Sequence, residues 1–383
     1  MTILSRYLIL SVGLTSLGGV LVFVFLLITG NALRDIIGLL AQGTLPFSLF
    51  WHLLGLLIPY AVSFAMPLGV LIAILLVMGR MSANREIIAL RSAGIGLFRI
   101  AAPVLFVALA GTGLTAYINA VHAPEARASY KAILNDLVRT DPLRFIVPQT
   151  FVHDFPGYVL YVQEKEEDRL KGFWLWELDE ERRAVRLLRA EEGGFTFDEK
   201  NDALVLTLRE GFTELRDPDN PDNLREQQPT LSFRDARIRL PLSGILGEAN
   251  RPRGLDHYGV RDLLKEREKA LAEANAAASE DEREAALVRE SQARYQLSRR
   301  FAMAASVLSL ALFALPLGIR VGRTETYANF ALALMIALGY YLALIMIGWA
   351  ERSPHLRPDL LVWIPNLCAQ LFGVVLLVRA NRH

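Results

Sequence analysis

The sequence has almost none of the residues that proteins use for disulfides and metal sites. It contains one cysteine and six histidines among 383 residues, and no Cys/His cluster with the spacing of a zinc site. The cysteine, Cys368, falls inside an apolar run, where its ordinary role is that of a small buried hydrophobe. A disulfide within the chain is therefore excluded, and we predict no metal site and no cofactor bound by this chain.

Motifs of the common enzymes are missing as well. The sequence has no GxxxxGK[ST] phosphate-binding loop, no HExxH and no GxSxG. Lysine is rare, and all six lysines lie between residues 131 and 269. We therefore predict that the chain has no catalytic residues and is not an enzyme. If its action depends on ATP, a separate subunit must hydrolyse the nucleotide.

Long apolar runs dominate what is present. Hydrophobic residues make up 53% of the chain and the mean hydropathy is +0.31, although 21% of residues are charged. Six runs reach the roughly 20 residues that span a bilayer: about 7–29, 49–79, 98–121, 301–319, 326–349 and 360–378. A polar block, about 122–300, separates the third run from the fourth. The net charge of +1 gives no indication of nucleic-acid binding.

The first run is too long for the apolar core of a signal peptide, and the second is too long for a single helix perpendicular to the membrane. The first exceeds the apolar core of a signal peptide and lacks a small-x-small cleavage site, so we interpret it as a retained span. The second, taken over 45–79, is too long for a helix perpendicular to the membrane. It is either strongly tilted or begins as an interfacial helix near Trp51 and His52.

Ionisable residues are nearly absent from the six runs. His52 lies near the end of the second run and Asp359 just before the last. Ion-coupled transporters usually keep acidic or basic residues at membrane depth, because the ion relay needs them. Prolines interrupt four of the runs instead: Pro59, Pro67, Pro103, Pro316 and Pro365. The pattern favours a bundle of kinked helices that takes its energy from another subunit.

Arginine is distributed unevenly over the short loops. One side carries Arg6, Arg80, Arg85, Arg91, Arg99, Arg320, Arg323, Arg379 and Arg382. The other side carries Arg34, Arg352 and Arg357, accompanied by acidic residues. Cytoplasmic loops are enriched in Lys and Arg. We therefore predict both termini in the cytoplasm and the polar block in the opposite compartment, which is the periplasm if the membrane is a bacterial inner membrane.

The first part of the polar block alternates apolar and polar residues as β-strands do. Examples are YVLYVQ (158–163), FWLWEL (173–178) and ALVLTL (203–208), separated by turn signals. We predict an inserted periplasmic all-β domain over 122–254, with a sandwich or jelly-roll-like form. Its interior is either an ordinary packed core or an apolar trough that is open along one edge.

Residues 255–300 are rich in Ala, Glu, Leu and Arg and are predicted to be helical. Ser279 and Glu282 have the spacing of a capping box that would start a second helix leading into the fourth span. This charged segment is either simply solvated or binds a partner. The predicted domains are thus 1–121, with three spans, then 122–254, 255–300 and 301–383, with three more spans.

A short amphipathic stretch, GRMSANREIIALRSAG (79–94), separates the second span from the third. We predict one helix over these residues, with Ser82 as its N-cap and Gly94 at its end. Ile87 and Leu90 form an apolar stripe beside a charged one. The helix either lies on lipid headgroups or docks in a groove of a cytoplasmic partner.

In this order, the features resemble the LptF/LptG family, the permease subunits of the lipopolysaccharide exporter. The resemblance covers essentially the whole chain. It rests on Arg6–Tyr7, on residues 66–94 (MPLGVLIAILLVMGRM followed by REIIALRSAG), on ALPLGIRVGR (314–323) and on LLVWIPNL (360–367). The loop Gly43–Pro46 is more like LptF than LptG.

The resemblance implies a multi-pass α-helical membrane protein with six transmembrane helices and an inserted periplasmic β-jelly-roll-like domain. It implies an LptB-like ATPase dimer that uses ATP, an LptG-like or LptF-like paralogous permease, LptC/LptA-like periplasmic bridge proteins, and lipopolysaccharide as substrate. The first and fifth spans would form lateral gates. The expected coupling helix is 79–94, with ATPase-coupling residues Arg85, Glu86, Ile87, Leu90 and Arg91. Arg34 matches a basic position that would bind the lipid.

Two other functions stay open at this point. The chain could be a membrane scaffold or regulator whose β-domain senses a periplasmic partner and which transports nothing. It could also be a secondary transporter for a smaller lipid, which the missing intramembrane charges disfavour.

Overall fold

The computed structural model describes residues 3–32, 46–140, 148–155, 157–166, 169–179, 183–198, 203–216, 229–241, 255–277, 279–321 and 326–382. The α-helices are α1 Ile3–Leu27, α2 Phe47–Ala83, α3 Glu86–Ser92, α4 Leu97–Tyr117, α5 Ala123–Thr140, α6 Val260–Ala276, α7 Glu280–Val321, α8 Thr326–Trp349, α9 Pro358–Leu361 and α10 Ile364–Arg382. The strands are β1 Phe151–Phe155, β2 Tyr158–Glu166, β3 Arg169–Leu178, β4 Ala184–Asp198, β5 Ala203–Leu215 and β6 Thr230–Pro241. The chain divides into two compact units. The helical unit contains residues 1–34, 52–128 and 255–383, and the sheet unit contains 35–51 and 129–254.

The described residues include six helices that are long and apolar enough to cross a membrane, which confirms the predicted number of spans. They are Ile3–Gly30, Phe47–Ala83, Leu97–Leu134, Glu280–Ile319, Ala331–Trp349 and Pro358–Asn381. The second span is one unbroken helix of 37 residues. At 1.5 Å per residue it is about 55 Å long, well beyond the ~30 Å of hydrocarbon.

The second and fourth spans form the centre of the helical unit. In the most apolar stretch of α2, 72% of residues are buried, compared with 17% in the first and fifth spans. Leu71, Ile74, Leu75 and Met78 of α2 are completely buried and belong to a cluster that also contains Val307 of α7. The first and fifth spans therefore lie at the edge of this unit, with most of their apolar surface uncovered.

Glycines let the spans approach closely, as is usual where lipid gives no hydrophobic driving force between helices. A Cβ added at Gly69 of α2 would lie 2.7 Å from the backbone nitrogen of Val20 in α1. One added at Gly373 of α10 would lie 2.6 Å from the carbonyl of Leu312 in α7. Backbone-to-backbone contact at these two points holds α1 on α2 and α10 on α7.

Side-chain hydrogen bonds add to this packing. Asn366 of α10 donates to the carbonyl of Ala302 (2.8 Å) and accepts from Tyr340 of α8 (3.1 Å). Tyr341 of α8 donates to the carbonyl of Phe64 in α2 (2.8 Å). Such bonds stabilise membrane helices by roughly 0.6–2 kcal/mol each. They connect the fifth span to the second and sixth spans even though little of its surface is buried.

The predicted start of the β-domain at residue 122 was wrong. The third span does not end there, because a π-helical turn over Ile118–His122 leads directly into α5, which continues to Thr140. Residues 123–140 have a helical apolar spacing but low overall hydrophobicity, so they form no apolar run in the sequence. The first described strand begins only at Phe151.

The six strands form one antiparallel sheet in sequential order, β1-β2-β3-β4-β5-β6. The predicted inserted all-β unit is confirmed. Each of the described strands pairs with its neighbour along the chain. The described part of the predicted jelly-roll-like domain is therefore an antiparallel meander. One face is closed by its own side chains, since Leu160, Phe173, Leu175 and Leu206 are completely buried. This burial agrees with an ordinary packed core.

The charged segment after the sheet forms a helical hairpin of α6 and the first turns of α7. Ser279 Oγ accepts the backbone N–H of Glu282 at 3.2 Å, which confirms the predicted cap. Helix α7 then runs without a break for 42 residues into the fourth span. Arg267 binds Glu290 across the hairpin (3.1 Å), and Arg294 binds Asp359 before the last span (3.2 Å). These ion pairs hold the extension of the fourth span beside the sixth.

Replacing Gly373 by alanine should destabilise the helical unit by about 1–3 kcal/mol, the usual cost of overpacking. The matched control is Gly339→Ala, because nothing lies within 4 Å of a Cβ added at that mid-span position. Thermal unfolding of both variants in detergent, followed by fluorescence-detected size exclusion, measures the difference. Equal unfolding midpoints would contradict the close packing of α10 on α7.

Candidate functional site

The amphipathic stretch 79–94 is a helical corner rather than one helix, so its predicted bounds were wrong. Helix α2 continues to Ala83, and α3 covers only Glu86–Ser92. The break occurs because Arg85 adopts a left-handed conformation, with φ of 60°. Gly94 also has positive φ, 83°, and ends the segment near the predicted position.

Ser82 does not cap a helix. It lies inside the last turns of α2, and its hydroxyl donates to the carbonyl of Ile319 at 2.6 Å. On the opposite side of α2, Arg80 donates to the hydroxyl of Tyr7 at 3.2 Å. The corner between α2 and α3 is thereby connected to the start of the first span and to the end of the fourth.

The two neighbouring isoleucines of α3 have opposite environments. Ile87 is 3% exposed and belongs to the main cluster of the helical unit, and Leu90 packs against the same cluster. Ile88 is 57% exposed. The apolar stripe that the sequence predicts for a partner therefore faces inward and attaches α3 to its own bundle. Arg85, Ile88, Ala89, Arg91 and Ser92 form the exposed face of the corner.

Charge on the corner is mixed. Glu86 is half-buried in the first turn of α3, where the helix dipole favours a carboxylate. The side-chain amide of Asn84 donates to Glu86 Oε1 at 3.1 Å, which orients the carboxylate. Arg85 and Arg91 are exposed on either side. A fixed carboxylate between two arginines, beside an exposed isoleucine, is suited to binding another protein.

A second candidate site, which the sequence analysis did not identify, lies where α2, α5 and α7 meet. It is a pocket of about 60 Å³, large enough for a few water molecules or a small anion. Three arginines contribute to its lining, Arg127, Arg299 and Arg300, and Tyr60 and Phe64 provide aromatic walls. None of the other described residues that line it carries a charge, so the pocket is strongly basic.

Buried hydrogen bonds fix the walls of this basic pocket. Ser63 donates to the side chain of Asn119, whose amide donates to the carbonyl of Arg300 at 3.1 Å. Arg300 in turn donates to the carbonyl of Tyr258 at 2.6 Å. The guanidinium of Arg127 stacks 5.0 Å from the centre of the Tyr60 ring. The pair Arg299–Arg300 at the start of an apolar run was the only signal in the sequence.

The described residues show no group of three or more His, Cys, Asp or Glu that could hold a metal ion. Arg34, the predicted lipid-binding residue, lies outside the described residues, as do residues 43–45 of the loop that resembles LptF. Both stay predictions.

The family model for the lipopolysaccharide export system permease LptF/LptG matches residues 6–379. This chain belongs to the LptF/LptG family. The match includes all six spans and the sheet, which confirms the resemblance seen in the sequence, and it does not distinguish LptF from LptG. A search of curated proteins found no match.

Membership of the LptF/LptG family makes the chain a multi-pass inner-membrane permease of lipopolysaccharide export. The family is one of transport permeases. In this LptF/LptG chain, the helical corner and the basic pocket are two places where the described part of the helical unit holds charged side chains in a defined geometry.

The two isoleucines of α3 provide a direct test of the corner's orientation. Ile87→Ala should lower the free energy of unfolding by about 2–5 kcal/mol, because it opens a cavity in the main cluster. Ile88→Ala should change it by less than about 0.5 kcal/mol, as is usual at the surface. Thermal unfolding in detergent compares the two. A larger loss for Ile88→Ala would mean that α3 is rotated.

Proposed function

We propose that this chain is the permease subunit of an ABC transporter that extracts lipopolysaccharide from the inner membrane and passes it to a periplasmic bridge toward the outer membrane. The proposal is carried by the family match over residues 6–379. Two features of the molecule support it. The sequence has no phosphate-binding loop, and the helical corner presents an exposed face outside the membrane spans. Such a permease needs an LptB-like ATPase dimer to supply its energy.

The exposed face of the corner is the proposed ATPase contact. Interfaces usually have an apolar or arginine anchor at the centre and polar groups around it. Ile88 would be that anchor, with Arg85 and Arg91 at the rim and Glu86 directed at a basic group of the ATPase. The sequence analysis also assigns Ile87 and Leu90 to the ATPase contact. In the structure they face the bundle, so they would support the contact indirectly, by holding α3 on the helical unit.

Energy would reach the spans through the contacts of the corner. Closure of the ATPase dimer on ATP pushes on α3, whose buried Ile87 cannot slide independently of α2. The bond from Ser82 to Ile319 carries the same displacement to the end of the fourth span. Both central helices then move together and narrow the cavity that this chain shares with an LptF-like or LptG-like paralogue.

The uncovered spans are where the paralogue and the lipid would bind. Leu10, Leu14, Leu17 and Leu21 of α1 are all at least half exposed. This apolar strip would face acyl chains or the second permease, as expected of a lateral gate. The basic pocket would lie at the level of the outer headgroups, where arginine binds phosphate well. The sheet unit would deliver the lipid to LptC/LptA-like bridge proteins.

The test is the variant Ile88→Asp in the assembled complex. A charge at the proposed anchor should reduce recovery of the ATPase with the tagged permease at least tenfold, and ATP-dependent release of lipopolysaccharide from proteoliposomes should fall with it. Leu264→Asp is the matched control, because Leu264 of α6 is also exposed and lies outside the corner. Full ATPase recovery and release with Ile88→Asp would contradict the proposed coupling contact. Failure of the unmodified chain to recover any ATPase would favour the scaffold function.

A further inference from the structure

A row of aromatic side chains crosses the sheet on the face opposite its packed core. Strand register aligns Phe151 of β1, Tyr161 of β2, Trp174 of β3, Arg189 of β4 and Phe212 of β5 directly opposite one another. We call these five residues the aromatic row. At about 4.8 Å between strands, the row extends for about 19 Å.

Three rings of the row, those of Phe151, Tyr161 and Trp174, are joined through one indole outside it, that of Trp176. Phe151 lies 5.0 Å from the Tyr161 ring and 5.6 Å from that of Trp176. Trp176 stacks on Trp174 at 5.8 Å with an interplanar angle of 28°. Arg189 then covers Trp174 at 4.7 Å. The result is a continuous platform of π-faces ending in a guanidinium.

The platform is not needed to close the core. The neighbouring residues in the same strands, Phe173 and Leu175, are completely buried on the opposite face. The four rings of the row stay partly or largely exposed, and so does Arg189. Exposed aromatic surface of this kind is rare without a binding role.

The aromatic character is confined to one end of this face. Farther along the same strands, the corresponding positions are Thr196, Thr207 and Arg209, and Arg209 pairs with Asp235 at 3.7 Å. That end has the ordinary polar composition of a solvated sheet. Glu214 of β5 lies 3.8 Å from Arg216. Arg189 supplies the cation of the platform, directly over the Trp174 ring.

Stacked aromatic rings beside a cation are suited to an anionic saccharide. The negative π-face of an indole or phenol attracts the polarised C–H groups on the flat side of a pyranose ring. Arginine binds phosphate and carboxylate groups in a bidentate manner. A lipopolysaccharide carries a long polar saccharide that cannot enter the apolar interior of the sheet, because burying unpaired hydroxyls there is costly.

We propose that the aromatic row binds the anionic saccharide part of lipopolysaccharide as the lipid passes the sheet unit. The inference rests on the proposed function. The rings stack on successive sugars, and Arg189 pairs with a phosphate on one of them. The row thus gives this permease a contact with its cargo that is separate from any contact with the acyl chains.

The experiment titrates the full-length permease, in its complex in nanodiscs, with delipidated, phosphorylated core oligosaccharide, and measures binding by calorimetry. Trp174→Ala and Arg189→Gln should each weaken binding at least tenfold. Trp51→Ala is the matched control, since Trp51 of α2 is 59% exposed and lies outside the aromatic row, and it should bind as the unmodified protein does. Enzymatic removal of the phosphates should abolish the effect of Arg189→Gln but not that of Trp174→Ala. Trp174→Phe, which keeps a ring and tests for misfolding, should retain most of the affinity.

Three results would overturn the inference. Intact lipopolysaccharide could co-purify with the complex while the free oligosaccharide shows no saturable binding, in which case the proposed function stands and the saccharide site does not. Oligosaccharide binding could be equal in Trp174→Ala, Arg189→Gln and the unmodified protein. Trp174→Ala could instead reduce only the recovery of a periplasmic bridge protein, which would make the row a protein interface. If intact lipopolysaccharide does not associate with the complex at all, the proposed function fails first.

Discussion

The burial of α2 at the centre of the helical unit is the constraint on which the rest depends. Its apolar residues pack against the fourth span, and its last turn continues beyond the membrane-spanning part into a corner that its neighbours hold in place. The buried side chain of Ile87 anchors that corner on the bundle, and the hydroxyl of Ser82 donates a hydrogen bond to the carbonyl of Ile319. A short helix of seven residues would not be stable alone in water. It is stable here because it is attached to a rigid bundle, and that attachment makes it useful as a point of contact.

The gross architecture could be predicted because it depends on composition over long stretches. Six apolar runs, alternation in the strands and the Ser279 cap are local or nearly local patterns, and the structure contains all three. The details that depend on tertiary contact could not be predicted in this way. Ser82 looks like a cap in the sequence, but its hydroxyl bonds to a carbonyl more than two hundred residues away. Ile87 and Ile88 are chemically identical, and only the left-handed turn at Arg85 decides which one is buried.

The same limit applies to the sites. The basic pocket is assembled from three arginines on two distant segments, so no spacing in the sequence reveals it. The aromatic row is visible in part, since FWLWEL alternates as a strand, but its continuity over β1 to β5 depends on register. The alternation also explains how one sheet serves two purposes. Its inner residues form the core, and its outer residues are available for a ligand.

The central claim is that the exposed face of α3 meets the ATPase while the buried face holds α3 on the bundle. Photocrosslinking from single positions in the membrane-embedded complex tests it most directly. A photoreactive residue at position 88 should form adducts with the ATPase subunit, and one at position 87 should form adducts only within the permease. Adducts with the ATPase from position 87 but not from position 88, or from neither, would contradict the claim.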